Sequence, residues 1–269
     1  MQFNHKLGFI GAGNMSSAII KGMLSKEYIS PCNINIFDIN PQKADEFKSF
    51  GLNSLNNISD LMSLSDIVFL AVKPQNITEV LTQIAPFVTS DKIIVSIAAG
   101  ISINYIKSML NPQTKVIRVM PNTPLMLGYG ATAISYLPPV FDKELEIVAD
   151  IFKISGIVEV LPEDKMNAVI PLNGSSPAFV YLFAKSLVDS GILFGINNKA
   201  SMNLVYHSIL GSAYMLINSG ESPEELIKKV SSPKGTTVAA LKSFEDDNFS
   251  NIIKKAMDVC VKRADELSK

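Results

Sequence analysis

The residues that could do chemistry begin at a glycine-rich turn. Lys6–Ile10 reads as a strand, and Gly11, Gly13 and Ser16 follow it at the three small positions of a GxGxxG/A-like turn before a helical stretch. Gly11 permits the tight turn, Gly13 lets backbone approach a pyrophosphate, and Ser16 keeps the helix close to the sheet. The helix start adds exposed N–H groups and the positive end of its dipole. Such a turn can be purely structural, but its place at the head of a βαβ pattern favours dinucleotide binding. Asp38 ends the next strand-like run, in NIFDINPQK. An acidic residue there either binds the ribose hydroxyls of NAD or simply ends a strand and caps the helix after Pro41. The usual arginine partner of a 2′-phosphate is absent from this region, and Lys43 is a flexible point charge.

Further small or polar groups stand where predicted strands end. VFLAVKPQ ends in Lys73-Pro74-Gln75, and the next strand ends in SIAAG, residues 96 to 100, where open α/β sheets place ligands. MPNTP holds Asn122 and Thr123 between Pro121 and Pro124, which stiffen the loop as a rigid turn or a preorganised binding group. NGSSPAFVY puts Ser175 and Ser176 beside Pro177, which denies a hydrogen bond to the preceding turn and frees a carbonyl. SSPKGTTVAAL reads as a helix start with Gly235, Thr236 and Thr237 in its first turn. Its N–H groups either bind a carboxylate or are satisfied by the threonine side chains as an ordinary cap.

Other chemistries are poorly supported. His5 and His207 have no His, Cys or carboxylate neighbour at metal-ligand spacing, so no metal site is expected. Cys32 and Cys260 lie near opposite ends without CxxC spacing, which points to a reducing, cytoplasmic setting. The 24 Lys and Arg against 25 Asp and Glu leave no basic footprint for nucleic acid. The opening Met1 to Lys6 lacks the apolar core of a signal peptide. Met166 to Ala184 is uncharged and long enough to span a bilayer, yet Asn167, Pro171, Asn173 and Pro177 argue for a buried helix rather than a membrane segment.

The elements that must position these groups follow from periodicity. At 269 residues and 47% hydrophobic content the chain can bury a substantial core. Its first half alternates apolar, β-branched runs with helical spacing, the pattern of a parallel sheet wrapped by crossover helices. Strands are expected at 6–10, 33–37, 67–72, 92–98, 115–120, 131–136 and 157–161. Helices are expected at 16–25, 41–50, 76–87, 102–110 and 142–154, the last capped by Asp142. After Leu161 no strand is expected, and helices fall at 163–193 with a break near Pro177, then 199–218, 223–230, 235–244 and 249–267. The fold class is α/β, with a Rossmann-type dinucleotide-binding domain over 1–162 and an all-helical domain over 163–269. LVYHSILGSAYMLI, residues 204 to 217, is apolar around most of its circumference. Such a helix must be enclosed on all sides, so a second subunit is expected to supply the missing wall.

The ordered set GFIGAGNM, AVKPQ, SIAAG, MPNTP, GSSPAFVY, DSGILFGI and SPKGTTVAAL resembles the pyrroline-5-carboxylate reductase family over essentially the whole chain. The resemblance implies NADPH- or NADH-dependent reduction of 1-pyrroline-5-carboxylate to L-proline, the last step of proline biosynthesis. It implies a helical domain that dimerises, often into rings of dimers. It places pyrophosphate at Gly11, Ala12, Gly13, Asn14 and Met15, nicotinamide and ribose at Ala71, Val72, Lys73 and Pro74, and nicotinamide also near Ala98, Ala99 and Gly100. The substrate carboxylate falls to Gly235, Thr236 and Thr237, with the Thr237 side chain toward the ring nitrogen as catalytic group. Ser175 and Ser176 share the substrate cleft, and Asn122 is counted with the substrate-binding residues. Two departures stand out: Lys234-Gly235 where the family often has Gly-Gly, and Asp38-Ile39-Asn40 where many members carry hydroxyl or basic residues. A carboxylate at 38 repels a 2′-phosphate and raises NADH as the cofactor. The rival readings are a β-hydroxyacid-type dehydrogenase and a non-catalytic nucleotide-binding homologue. The first lacks a convincing catalytic-lysine helix here, since Lys185 lies too far along NGSSPAFVYLFAK. The second has no use for the SPKGTT start.

Overall fold

The computed structural model describes residues 4–268; Met1 to Phe3, part of the opening inspected for a leader, lie outside them. One eight-stranded sheet runs in the order β3-β2-β1-β4-β5-β6-β7-β8. Its strands are β1 (Leu7–Ile10), β2 (Ile34–Phe37), β3 (Asn53–Ser54), β4 (Ile67–Leu70), β5 (Ile93–Ser96), β6 (Lys115–Met120), β7 (Gly130–Tyr136) and β8 (Gly156–Val160). β1, β4 and β5 are buried at every position, as strands covered on both faces must be. Helices α1 (Asn14–Ser25), α2 (Pro41–Asp45), α3 (Ile58–Leu64), α4 (Ile77–Ile84), α5 (Ile103–Met109) and α6 (Asp142–Lys153) accompany the sheet. Two buried clusters flank it: Phe9, Phe69 and Phe152 belong to one, Leu70, Leu81 and Ile106 to the other.

Several expectations need correction. β7 runs antiparallel to β6, because the short connection between them cannot hold the crossover a parallel pair requires. β3 and α3 are absent from the expected elements: β3 is a two-residue edge strand, and α3 spans barely two turns. The expected helix at 41–50 is α only to Asp45 and continues as a 3-10 turn. α1 begins two residues before the expected Ser16, with Gly13 as its N-cap. Asp142 is not a cap; it is the first residue of α6 and accepts from the Tyr136 hydroxyl.

The helical remainder comprises α7 (Ser176–Leu193), α8 (Asn198–Asn218), α9 (Pro223–Lys229), α10 (Thr236–Asp246) and α11 (Phe249–Leu267). No described helix is long and apolar enough to cross a membrane. Chain contacts form two compact units, one running to Pro177 and resuming at Cys260, the other Ala178–Val259. Residues 163 to 177 are tied into the first unit by polar bonds, part-buried at Arg118 and exposed at Asn167. Arg118 of β6 pairs with Glu163 at 3.0 Å and donates to Asn167 Oδ1 at 2.5 Å, while Asn167 donates to Asp265 and Ser268. Within the second unit α7 and α8 border a groove of about 570 Å³ lined by Tyr181, Val188 and Met202 among others.

Candidate active site

The crevice forms where strand order reverses, between β1 and β4, with β2 beyond β1. Gly11 adopts φ +109°, and its N–H donates to the Phe37 carbonyl at 2.7 Å. A Cβ there would stand 2.5 Å from the Ala71 carbonyl oxygen, so the turn closes against the β4 end only with glycine. At Gly13 a Cβ would meet nothing within 4 Å, leaving the backbone an open approach. Ser16 is buried and donates to the Gly11 carbonyl at 2.6 Å, which ties α1 to the turn. No side chain caps α1, so its first N–H groups are available to a phosphate. This arrangement fits a dinucleotide pyrophosphate on the Gly13, Asn14 and Met15 N–H groups. The Ala12 N–H is otherwise engaged, donating to Asp38 Oδ2 at 2.8 Å. Asp38 is not the cap of α2: Asn40 is, accepting from the Gln42 N–H.

Replacing Gly11 by alanine is expected to cost about 2 kcal/mol in stability or more, since a strained φ and a backbone clash coincide. Thermal melts with and without NAD+ would check it, and an unchanged melting temperature with unchanged cofactor response would refute the steric account.

Along the other strand ends, Ala71, Val72 and Pro74 are half-buried and Lys73 is exposed. Ala98 is buried and Ala99 half-buried, whereas Gly100 is covered: at φ +77°, its Cβ position lies 3.0 Å from the Ala264 carbonyl in the last turns of α11. Gly100 therefore packs against α11 and supports the strand end.

The MPNTP loop and the NGSSP segment are clasped by two asparagines. The Asn122 Nδ2 donates to the Asn173 carbonyl at 3.2 Å, and its Oδ1 accepts from the Ala131 N–H. Asn173, 8% exposed, donates from Nδ2 to the Met120 and Ala131 carbonyls. The Asn173 carbonyl is the one that Pro177, four residues on, has no N–H to serve; the freed acceptor goes to Asn122. Pro177 lies in the first turn of α7, and the irregularity is a π-helical turn, Ile170–Gly174, ahead of it rather than a kink within a continuous helix. Asn122, expected among the substrate-binding residues, is buried with both amide ends on backbone, so its side chain holds the loop rather than facing a ligand. The Ser175 hydroxyl lies 3.3 Å from the Cys260 sulfur, and Ser176 donates to the Leu172 carbonyl. Asn173 and the Arg118–Glu163 pair were not expected from sequence. The signal available was an isolated buried polar residue ahead of Gly174 and one of only two arginines lying inside an apolar strand.

In the other unit, Gly235 is the N-cap of α10 and has no side chain to cap it, so the expected alternative of a threonine-satisfied helix start is not what forms. Thr236 is exposed and Thr237 half-buried. Lys234 takes φ +62°, the left-handed region that favours glycine. Among the described residues no cluster of three His, Cys, Asp or Glu could hold a metal ion.

A Rossmann-order sheet with a glycine-rich turn at its switch point, followed by a helical remainder, defines a nicotinamide-dinucleotide oxidoreductase. Residues 6–100 match a family model described as NADP oxidoreductase, coenzyme F420-dependent, and 163–267 match one described as pyrroline-5-carboxylate reductase dimerisation. The pyrroline-5-carboxylate reductase of Escherichia coli (strain K12) is 34% identical over 98% of both chains. Pyrroline-5-carboxylate reductase 3 of Danio rerio is 36% identical over 98% of this chain and 92% of that one. The crystal structure of Plasmodium falciparum pyrroline carboxylate reductase with NADP bound superposes with a TM-score of 0.93 at 31% identity, covering 100% of both. The chain belongs to the pyrroline-5-carboxylate reductase family.

Proposed function

We propose that the protein reduces 1-pyrroline-5-carboxylate to L-proline with NADPH or NADH, as a homodimer or a ring of dimers. The observation that carries this reading is the match to such reductases over nearly the whole of both chains. When bound, the reduced cofactor supplies the hydride for the C=N carbon, and a proton must reach the ring nitrogen. The halves on either side of Pro162 divide the work. In the first, the Gly13 to Met15 N–H groups hold pyrophosphate, Asp38 meets the adenosine ribose, and Ala71, Val72, Lys73, Pro74, Ala98 and Ala99 border the nicotinamide and its ribose. In the second, the uncapped N–H groups of Thr236 and Thr237 take the substrate carboxylate beside Gly235, whose own N–H is held by the Ser232 carbonyl at 2.9 Å. The Thr237 hydroxyl, which makes no hydrogen bond among the described residues, donates to the ring nitrogen. Ser175 and Ser176 line the substrate side, and the asparagine clasp fixes where they stand. Both cysteines are free, which suits a reducing cytoplasmic setting.

The test is loss of reduced-nicotinamide absorbance on adding pyrroline-5-carboxylate, with proline as product. Oxidation of either cofactor in step with proline formation is expected; none with either would overturn the reading.

A further inference from the structure

We infer that Asp38 makes this reductase selective for NADH, and that the same carboxylate braces the turn that receives the pyrophosphate. The inference takes its enzyme from the reading above; its geometry stands independently. β1 and β2 lie in parallel register with Ile10 against Phe37, so the residues that follow each strand meet. There the Ala12 N–H, inside the glycine-rich turn, donates to Asp38 Oδ2 at 2.8 Å, and the Asn40 N–H donates to Oδ1 at 2.9 Å. One donor on each oxygen fixes the plane of the carboxylate between the turn and the start of α2.

The end of β2 is where the adenosine ribose of a dinucleotide comes to lie. Each Asp38 oxygen keeps a lone pair for a ribose hydroxyl, which donates. A 2′-phosphate brings a charge of about −2 and no matching donor. The carboxylate can turn away from it only by breaking both bonds, one of which shapes the pyrophosphate turn itself. Among the described residues no fixed cation near the end of β2 offsets the repulsion. Of the chain's two arginines, Arg118 is paired with Glu163 and Arg263 with Glu266. After β2, Lys48 is paired with Asp45, and Lys43 stands exposed on α2 as a mobile ammonium. Charge and scaffold are separable by substitution. Asparagine at 38 removes the charge and retains an acceptor for the Ala12 N–H; alanine removes both.

The experiment measures dissociation constants of NAD+ and NADP+ by calorimetry for the wild type, Asp38→Asn and Asp38→Ala, alongside turnover of pyrroline-5-carboxylate with NADH and NADPH. The wild type is expected to bind NAD+ at least about 10-fold more tightly than NADP+, and Asp38→Asn to shrink that ratio about 10-fold by gaining NADP+ affinity. Asp38→Ala, equally uncharged, is expected to bind NADP+ more weakly than Asp38→Asn and to melt at a lower temperature. NADP+ bound as tightly as NAD+ by the wild type, or a ratio unmoved in Asp38→Asn, overturns the selectivity. Equal NADP+ affinity and melting temperature in the two variants overturns the bracing role. A clear NAD+ preference without pyrroline-5-carboxylate turnover would sink the enzymatic reading and leave the Asp38 inference standing.

Discussion

Thr237→Ala is expected to lower kcat about 100-fold, the scale seen when one donor to a developing charge is removed, with KM for pyrroline-5-carboxylate rising only a few-fold. The split follows from the construction of the α10 start. Its cap is a glycine, so in the proposed reading the substrate carboxylate meets the Thr236 and Thr237 backbone N–H groups, which a side-chain truncation leaves in place. The Thr237 hydroxyl is half-buried and has no partner among the described residues, so it can turn to a ligand without losing a bond in the protein. Basicity at the ring nitrogen grows as hydride arrives at the adjacent carbon, so a hydrogen bond there is stronger in the transition state than in the bound imine. Removing it therefore acts on kcat. Thr237→Ser, which keeps the hydroxyl, should recover most of the rate. Steady-state kinetics of both variants decide the matter: a wild-type kcat in Thr237→Ala removes the hydroxyl from the chemistry, and a rise confined to KM reduces it to a binding contact.

What could be read from the sequence was governed by how local each cause is. Strands buried on both faces announce themselves as apolar runs, and β1, β4, β5 and β6 lie within two residues of where those runs predict them. α3 was legible in principle: Asn57 caps it by accepting from the Asp60 N–H, and the Asp60 carboxylate accepts from the Asn57 side chain. That is a capping signature, hidden by a helix too short to show periodicity. The antiparallel turn of β7 was legible only through loop length. The bond from Ala12 to Asp38 spans 26 residues and exists because two strands pair in one register; no local pattern encodes it. The same holds for the Asn122 clasp. Two prolines around a polar pair suggested side chains aimed at a ligand, but the acceptor left free by Pro177 lies 51 residues away and captures the Asn122 amide. The freed carbonyl was foreseeable and its recipient was not. Within the site, then, residues that act through backbone geometry were legible as motifs, and those that act by long-range hydrogen bonds required the fold.

The largest effect on assembly is expected from Leu210→Asp, which should convert the dimer to monomers or misassembled chains at micromolar concentration. From Leu204 to Ile217 α8 is apolar around most of its circumference, yet in a single chain Leu204 is 64%, Leu210 48% and Ile217 77% exposed. α7 adds Tyr181 and Leu182, both well exposed. A contiguous apolar surface of this kind marks an interface, and the matched dimerisation model spans both helices. Two-fold symmetry then doubles the penalty, because each substituted position occurs on both sides of an isologous contact. Burying even one unpaired carboxylate costs several kcal/mol, so the pair should raise the dimer dissociation constant at least about 1,000-fold, equivalent to roughly 4 kcal/mol. Sedimentation velocity across a dilution series reads this directly. Lys199→Asp, at the polar start of α8, serves as the control and should sediment with the wild type. A Leu210→Asp variant that sediments as the wild-type dimer would place the interface elsewhere on the helical unit. The exposed apolar circumference of α8 would then need another cover.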